Sequence, residues 1–319
     1  MSEKVIIEVA KSYIRIVEGK FHANTIEVNK CIEKFFDENL IREDIKIDEI
    51  LLQLELRNIF KEYKTSKKNI NVILSGVSNI LIRELELPEI DGDKIYNTIR
   101  FEARQYFPIN LDNYVLDYKQ LKVINEGNLK KKKILVVGVH KMLIEGIINA
   151  FQNAGLRISK IDIEPNSIVK LFNLERKINN LGESLSYMIV NITRNGVSTS
   201  VVVQNDLAAT KLFSIAQLEE MFKENNNGIE YEFSLLEDLI SESVIKFYDF
   251  IRTREEPVKD LKKIYLTGEV CQYIDISNLL RRRLDVDIEL AKEFKSIKKE
   301  CIKDKNMIFS YITAFSGLI

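Results

Sequence analysis

The stretch LPEIDGDKIYNTIRFEARQYFPINLDNYVLDY, residues 87–118, carries the densest set of signals in the chain. Asp91 is of a type that caps a helix N-terminus. Ile95, Ile99, Ala103 and Tyr106 then recur at steps of four, four and three, which lays one apolar stripe along a helix. Pro108 ends that helix, because the residue before a proline is pushed out of the helical region. Phe107 should therefore leave the helix and the chain should turn before Tyr114. Tyr114, Leu116 and Tyr118 alternate with Val115 and Asp117, the period of a strand with one buried face. Tyr96, Arg100, Arg104 and Phe107 stand on the other side of the helix, an aromatic and basic mix that a solvated face does not need. This surface is either packing between subdomains or a groove for a partner.

Around this stretch lies an ordinary globular sequence. At 319 residues it exceeds what one hydrophobic core serves, so two lobes or more are expected. Its hydrophobic share is 45%, its charged share 30% and its formal net charge -1, a balance that gives no reason to expect nucleic acid as a partner. Cys31, Cys271 and Cys301 are far apart and without neighbouring histidine, so neither zinc nor a disulfide framework is indicated, and reduced, buried thiols are expected. His22 and His140 have no serine or cysteine pattern beside them and are expected to be structural or surface residues. The N-terminal run is too short and too acidic for a signal peptide, and no apolar stretch approaches the ~20 residues of a membrane span. A cytoplasmic protein with no direct membrane insertion is expected.

In chain order, VIIEVAKSYIRIVEGKFHANTIEVN should fold as two or three strands joined by tight turns, with Gly19 and Lys20 at one of them. Leu52, Leu56, Ile59, Phe60 and Tyr63 give a helix from Asp48 to Tyr63, followed by a short strand, Asn71–Ser75, ending at Gly76. After residues 87–118 come a charged tip at Lys130–Lys133, a strand to Val139 and a helix stopped by Gly155. Arg157–Ile163 is a further strand, and Pro165 starts the next helix. Then Tyr187–Ile192, a turn at Asn195-Gly196 and Val197–Val203 repeat the opening hairpin. Asn225–Gly228 is a loop. Leu236, Ile240, Val244, Phe247 and Ile251 line a long helix, and a strand from Lys263 runs into Thr267-Gly268. The basic runs Lys130–Lys133 and Arg281–Arg283 fall where solvated charge normally falls.

Arg100-Phe101-Glu102-Ala103, then Gln105-Tyr106-Phe107-Pro108, then Leu116-Asp117-Tyr118 resemble, in order and spacing, the signature of the PilM family of type IV pilus assembly proteins. The resemblance covers nearly the whole chain, including Tyr248 and the closing Ala314–Leu318. It implies an α/β, actin-like ATPase fold of two lobes with an inserted subdomain of the kind called 1C, or SHS2-like, in the cell-division protein FtsA. The expected division is residues 1–84 with 160–183 for lobe 1, 85–159 for the insert, and 184–319 for lobe 2 with a small 2B region around 205–260.

In that fold two hairpin turns grip phosphates, each usually through Asp-x-Gly, where the acid orients magnesium and the glycine admits the anion. Here Glu8 and Ala10 fall on the first pair of positions, followed by Lys11 and Ser12. Asn191 and Thr193 fall on the second pair. The adenosine loop keeps Thr267 and Gly268 but continues with Glu269, an added negative charge. These departures imply at best a degenerate nucleotide site of Lys11, Ser12, Asn191, Thr193, Thr267 and Gly268, weak in ATP and magnesium and without hydrolysis.

The resemblance further implies an adaptor. PilM-like proteins hold the N-terminal tail of PilN, a single-span inner-membrane protein, between the first lobe and the insert, and connect it to the pilus platform and motors. The tail runs Asn-Leu-Leu-Pro, and Tyr96, Arg100, Arg104, Tyr106 and Phe107 are the residues expected to receive it. Such a protein is peripheral at the inner membrane through its partner. A nucleotide-switched ATPase of the same machine and a division protein like FtsA are the alternatives. FtsA normally ends in an amphipathic helix after a linker, and the secretion protein GspL continues into a span; neither feature follows ITAFSGLI here.

Overall fold

Apolar alternation at the N-terminus builds the first sheet. In the computed structural model, which describes residues 3–43, 45–88, 94–107, 110–126, 129–182, 186–226, 233–253, 261–298, 304 and 306–319, the chain opens with an antiparallel meander. Its strands are β1 (Lys4–Val9), β2 (Tyr13–His22) and β3 (Thr25–Phe35). The β2–β3 turn is at Ala23 and Asn24, both with positive φ. Gly19 and Lys20, expected at a turn, lie inside β2. Gly19 marks a shift of register, and a Cβ there would meet the Glu27 carbonyl oxygen at 2.4 Å, so the glycine serves strand approach.

A short hairpin, β4 (Ile41–Arg42) and β5 (Lys46–Ile47), leads into α1 (Glu49–Glu62). Asp48 caps α1, its Oδ1 accepting the Leu51 N–H at 3.0 Å. Leu52, Leu56, Ile59 and Phe60 of α1 are buried as the periodicity requires, while Tyr63 is exposed at the helix end. β6 (Ile70–Leu74) pairs parallel to β1, and β10 (Ile158–Ile163) parallel to β6, which gives the order β10-β6-β1-β2-β3.

Between β6 and β10 the chain forms a separate sheet from β7 (Leu81–Pro88), β8 (Tyr114–Glu126) and β9 (Leu129–His140), in the order β7-β9-β8. α2 (Lys94–Tyr106) lays Ile95, Ile99 and Ala103 on Leu85, Leu87, Ile134 and Val136. Tyr106, expected in that apolar stripe, is instead 46% exposed. Asp91 and Pro108, expected to bound the helix, lie outside the described residues. Lys130–Lys133 are not a tip: they belong to β9, Lys130 paired with β8 and Lys131–Lys133 paired on both sides, and Lys133 meets Glu84 of β7 at 2.5 Å.

α3 (Lys141–Asn153) ends before Gly155, whose φ is +76. The His140 ring caps α3 by accepting the Met142 N–H at 3.3 Å. Leu143, Ile147, Ala150 and Phe151 of α3 pack in one core with β1, β6 and α1. By packing, then, α3 belongs with the first sheet, whereas the sequence division puts it in the insert, and the inserted sheet begins at Leu81 rather than at residue 85.

α4 (Glu164–Ile178), with Pro165 in its first turn, leads to the second sheet. β11 (Ser186–Thr193), β12 (Gly196–Val203) and β13 (Asp206–Phe213) form a second meander. α5 (Ala216–Asn226) and α6 (Phe233–Arg252) follow, then β14 (Leu261–Thr267), α7 (Ser277–Arg281), β15 (Asp287–Leu290) and α8 (Met307–Ser316). The order β13-β12-β11-β14-β15 repeats that of the first sheet, with β14 parallel to β11 and β15 parallel to β14. Residues of β13, α5 and α6 share one core with β11 and β14, so the region around 205–260 does not stand apart from the second lobe in packing. Asn225 and Asn226, expected in a loop, close α5. Asn227, Gly228 and Cys301 lie outside the described residues. Cys271 is buried and Cys31 half-buried, and neither is in a disulfide.

A third core lies between the two sheets, where Ile6, Val17, Tyr187 and Ile189 meet α4 and α8. Side chains alternate across a strand. The alternation that turns Ile6, Val17 and Ile189 into this core also turns Glu8, Arg15 and Asn191 toward the cleft between the lobes.

Candidate functional site

At the mouth of that cleft the ends of the two hairpins meet. Ser12, in the β1–β2 turn, donates its hydroxyl to Asn195 Oδ1 in the β11–β12 turn at 3.0 Å. Asn191 Nδ2 donates to Glu164 Oε1 at 2.8 Å, and Ser75 Oγ donates to the other oxygen of Glu164 at 3.0 Å. Thr193 stays within its own turn, its Oγ1 accepting the Asn195 N–H at 3.3 Å. Lys11 is half-buried, and its carbonyl accepts the Leu40 N–H at 2.6 Å. Gly268 has φ +101, and a Cβ there would meet the Ile192 carbonyl oxygen at 2.3 Å and Asn191 Oδ1 at 2.6 Å. The glycine lets β14 close on β11. The six residues expected around a nucleotide do converge, therefore, and most of their polar atoms are engaged with protein.

Sequence reasoning missed the centre of this region. Arg15 of β2 is 1% exposed and reaches across the cleft. Its Nε donates to Glu33 at 2.5 Å, its Nη2 donates to Glu269, and its guanidinium lies 4.0 Å from the Tyr13 ring. Glu269, 3% exposed, also accepts the Arg194 backbone N–H at 2.8 Å and the Arg194 Nε at 3.2 Å. The Arg194 guanidinium stands over the rings of Phe35 (3.7 Å) and Phe222 (4.1 Å), one from each lobe. Burial alone would push the Glu269 carboxyl up, but the two guanidiniums overcome it and hold the group below the usual carboxylate range. The charge that the sequence sets near a nucleotide is thus neutralised within the protein. The signal for it was present: one arginine inside the apolar strand Tyr-Ile-Arg-Ile-Val (13–17), on the same face as Tyr13 and Val17.

Glu8 is fully buried and accepts the Tyr13 hydroxyl at 3.0 Å. Burial lifts its pKa to about 7, with Arg15 opposing and Glu164 reinforcing the rise. Four side-chain atoms in this group are buried without a hydrogen-bond partner: Glu8 Oε2, Asn191 Oδ1, Asn195 Nδ2 and Thr267 Oγ1. Among the described residues no three of His, Cys, Asp and Glu gather as a metal site would need.

The second candidate is the face of α2, and its five expected residues do not form one patch. Tyr96, 49% exposed, packs edge-to-face on Tyr118 of β8 at 5.5 Å. Tyr106 takes the Arg83 guanidinium of β7 over its ring at 4.5 Å. Because β7 and β8 are opposite edges of the inserted sheet, the two tyrosines lie apart. Arg100 braces the connection to β8, its Nη2 donating to the Leu111 carbonyl at 3.1 Å and to Asp112 Oδ1 at 2.7 Å. Arg104 is exposed, as is Phe101 at 65%, which sequence reasoning passed over.

Phe107 is different. It is half-buried and lines a cavity of about 240 Å³, where Leu74, Val77 and Ile80 of the first lobe and Leu81 and Ile82 of the insert meet Glu164, Pro165 and residues of β12 and β13. A hollow of about 550 Å³ shares Ile82, Thr210 and Lys211 with it and runs between β7, β13 and Phe247 and Phe250 of α6. β7 and β13 are both edge strands of their sheets.

Comparison with known proteins accords with this architecture. A model of the family described as type IV pilus assembly protein PilM matches residues 7–230. Among solved structures, the chain is similar to one described as the PilM-PilN type IV pilus biogenesis complex, at 16% identity and a TM-score of 0.80 over 99% of this chain and 98% of that one. It is similar to a Bacteroides thetaiotaomicron protein with an actin-like ATPase fold, at 12% identity and a TM-score of 0.50 over 99% and 95% of the two chains. It is also similar to the ethanolamine utilization protein EutJ of Carboxydothermus hydrogenoformans, at 10% identity and a TM-score of 0.55 over 100% and 89%. At these identities the structural likeness establishes the fold, and the family match covers well over half of the chain. The chain belongs to the PilM family of type IV pilus assembly proteins and has the actin-like ATPase fold.

Proposed function

We propose that this chain is a non-catalytic scaffold on the cytoplasmic face of the inner membrane. It captures the extended N-terminal tail of a single-span, PilN-like partner and links it to the pilus platform and motors. The observation that supports this is the pre-formed cavity at Phe107, with Leu74, Val77, Ile80 and Leu81 on one wall and Glu164, Ser198 and Lys211 on the other, beside the edge strand β7. Capture of an extended segment uses backbone groups at a strand edge for affinity and pockets for alternate side chains for specificity. A tail of the form Asn-Leu-Leu-Pro, the kind that the family resemblance implies, offers both.

In this reading the tail runs along β7 with a leucine against Phe107 and Leu74, and the stacked Arg83 and Tyr106 beside its path. The solved relative described as a PilM-PilN complex supports the class of partner. Nucleotide takes no part in this reading: Arg15, Ser12 and Asn191 Nδ2 are engaged with Glu269, Asn195 and Glu164. Among the described residues no helix is long and apolar enough to cross a membrane. Attachment therefore depends on the partner. Cell fractionation tests the proposal: the chain should sediment with membranes when the bitopic partner is co-expressed and remain in the supernatant when it is absent. Sedimentation without the partner would contradict the scaffold reading.

A further inference from the structure

We propose that Glu269 is a built-in anion: its carboxylate fills an oxyanion site formed by the Arg15 and Arg194 guanidiniums and the Arg194 backbone N–H, a site that takes a tetrahedral oxyanion once the carboxylate is removed. Three N–H groups from two lobes converge on this one side chain, with Arg194 supplying its backbone N–H at 2.8 Å and its Nε at 3.2 Å, and Arg15 its Nη2. Converging, charge-assisted donors of this kind recognise carboxylate and phosphate oxygens alike.

The site is rigid. Arg15 is held by Glu33 and the Tyr13 ring, and Arg194 by Phe35 and Phe222. A single carboxylate has two oxygens. A phosphate has four, so each of the three N–H groups can meet its own oxygen. Glu269 follows Gly268, whose positive φ and close contact with β11 fix the direction in which the side chain leaves β14. The carboxylate thus ties the second hairpin to Arg15 of the first lobe without any bound ligand. This inference concerns the closed cleft and does not rest on capture of the partner tail.

Purified full-length Glu269→Ala and Glu269→Gln proteins test it by thermal melting in increasing sodium phosphate, with sodium chloride holding ionic strength constant. Both variants should melt below wild type in chloride. Glu269→Ala should rise saturably with phosphate, while wild type and Glu269→Gln, whose side chain still fills the site, show no phosphate-specific rise. Adding Arg15→Met to Glu269→Ala should abolish the response, and adenosine alone should not reproduce it. Should a variant be insoluble as purified, refolding from urea with and without phosphate gives the same reading: recovery only with phosphate supports the proposal. Parallel responses of wild type and Glu269→Ala, a response that requires adenosine, or no recovery of Glu269→Ala with any phosphate concentration would overturn it.

Discussion

Arg15→Met should destabilise the protein by about 3–5 kcal/mol, the usual cost of removing one partner from a buried ion pair and leaving the other charge uncompensated. The size follows from what the change leaves behind. Glu269 is 3% exposed and would keep only Arg194, Glu33 would lose its close partner, and the Tyr13 ring would lose its cation. Methionine fills much of the arginine volume, so the loss measures charge and donors more than a cavity. Arg15→Lys should recover only part of it, because a single ammonium cannot span Glu33 and Glu269 as the guanidinium fork does. Urea unfolding gives the values. A loss below about 1 kcal/mol, as for exposed pairs, would mean that the lobes do not depend on this contact.

Glu8→Gln should stabilise the protein only at high pH. Burial raises the folded-state pKa of Glu8 from the ordinary carboxylate value of 4.5 to about 7. A carboxyl raised in this way binds its proton more tightly in the folded state. Its contribution is fully present below about pH 4.5 and is lost as pH climbs through 7. A separation of about 2.5 units corresponds to about 3 kcal/mol. Glutamine mimics the protonated carboxyl and cannot ionise, so the variant should be close to wild type near pH 4.5 and more stable than wild type at pH 8. Asp162, held down to about 2 by Lys170 and Lys160 against the opposing pull of burial, loses its contribution only as pH falls below about 4, so the two windows do not overlap. Parallel stability profiles from pH 4.5 to 8 would contradict the assignment of Glu8.

The repeated hairpin plan was legible because it rests on local signals. Period-two apolar runs, the apolar spacing of the helix after Asp48, Gly155 after a helix and Asn195-Gly196 at a turn each act over a few residues. Gly19 misled for a physical reason: glycine marks turns, but it also marks bulges where two strands crowd, and the two uses look alike in sequence. Lys130–Lys133 misled because basic residues suit an exposed strand as well as a loop, and pairing with β7 and β8 is decided by partners far along the chain. The inter-lobe group was the least legible. Arg15 and Glu269 are 254 residues apart, and only the fold makes them neighbours.

The face of α2 was legible as unusual but not as divided. Helical spacing groups Tyr96, Arg100, Arg104 and Phe107, yet the sheet beneath sends Tyr96 to β8, uses Arg100 to brace Asp112, and leaves Phe107 at the junction with the first lobe. Among the three related readings of the sequence, the match over residues 7–230 supports pilus assembly over division or type II secretion.

The central claim, capture of a partner tail at the junction of first lobe and insert, is tested most directly by calorimetric titration of a synthetic Asn-Leu-Leu-Pro tail peptide into wild type, Phe107→Ala and Phe101→Ala. Phe107 lines the cavity and Phe101 stands 65% exposed, outside the residues that line it. Wild type should bind without added nucleotide. Phe107→Ala should weaken binding by about 1–2 kcal/mol, roughly tenfold in the dissociation constant, as loss of a buried anchor does. Phe101→Ala should match wild type. Equal affinities in wild type and Phe107→Ala, at unchanged melting temperatures, would contradict the account and place the tail elsewhere.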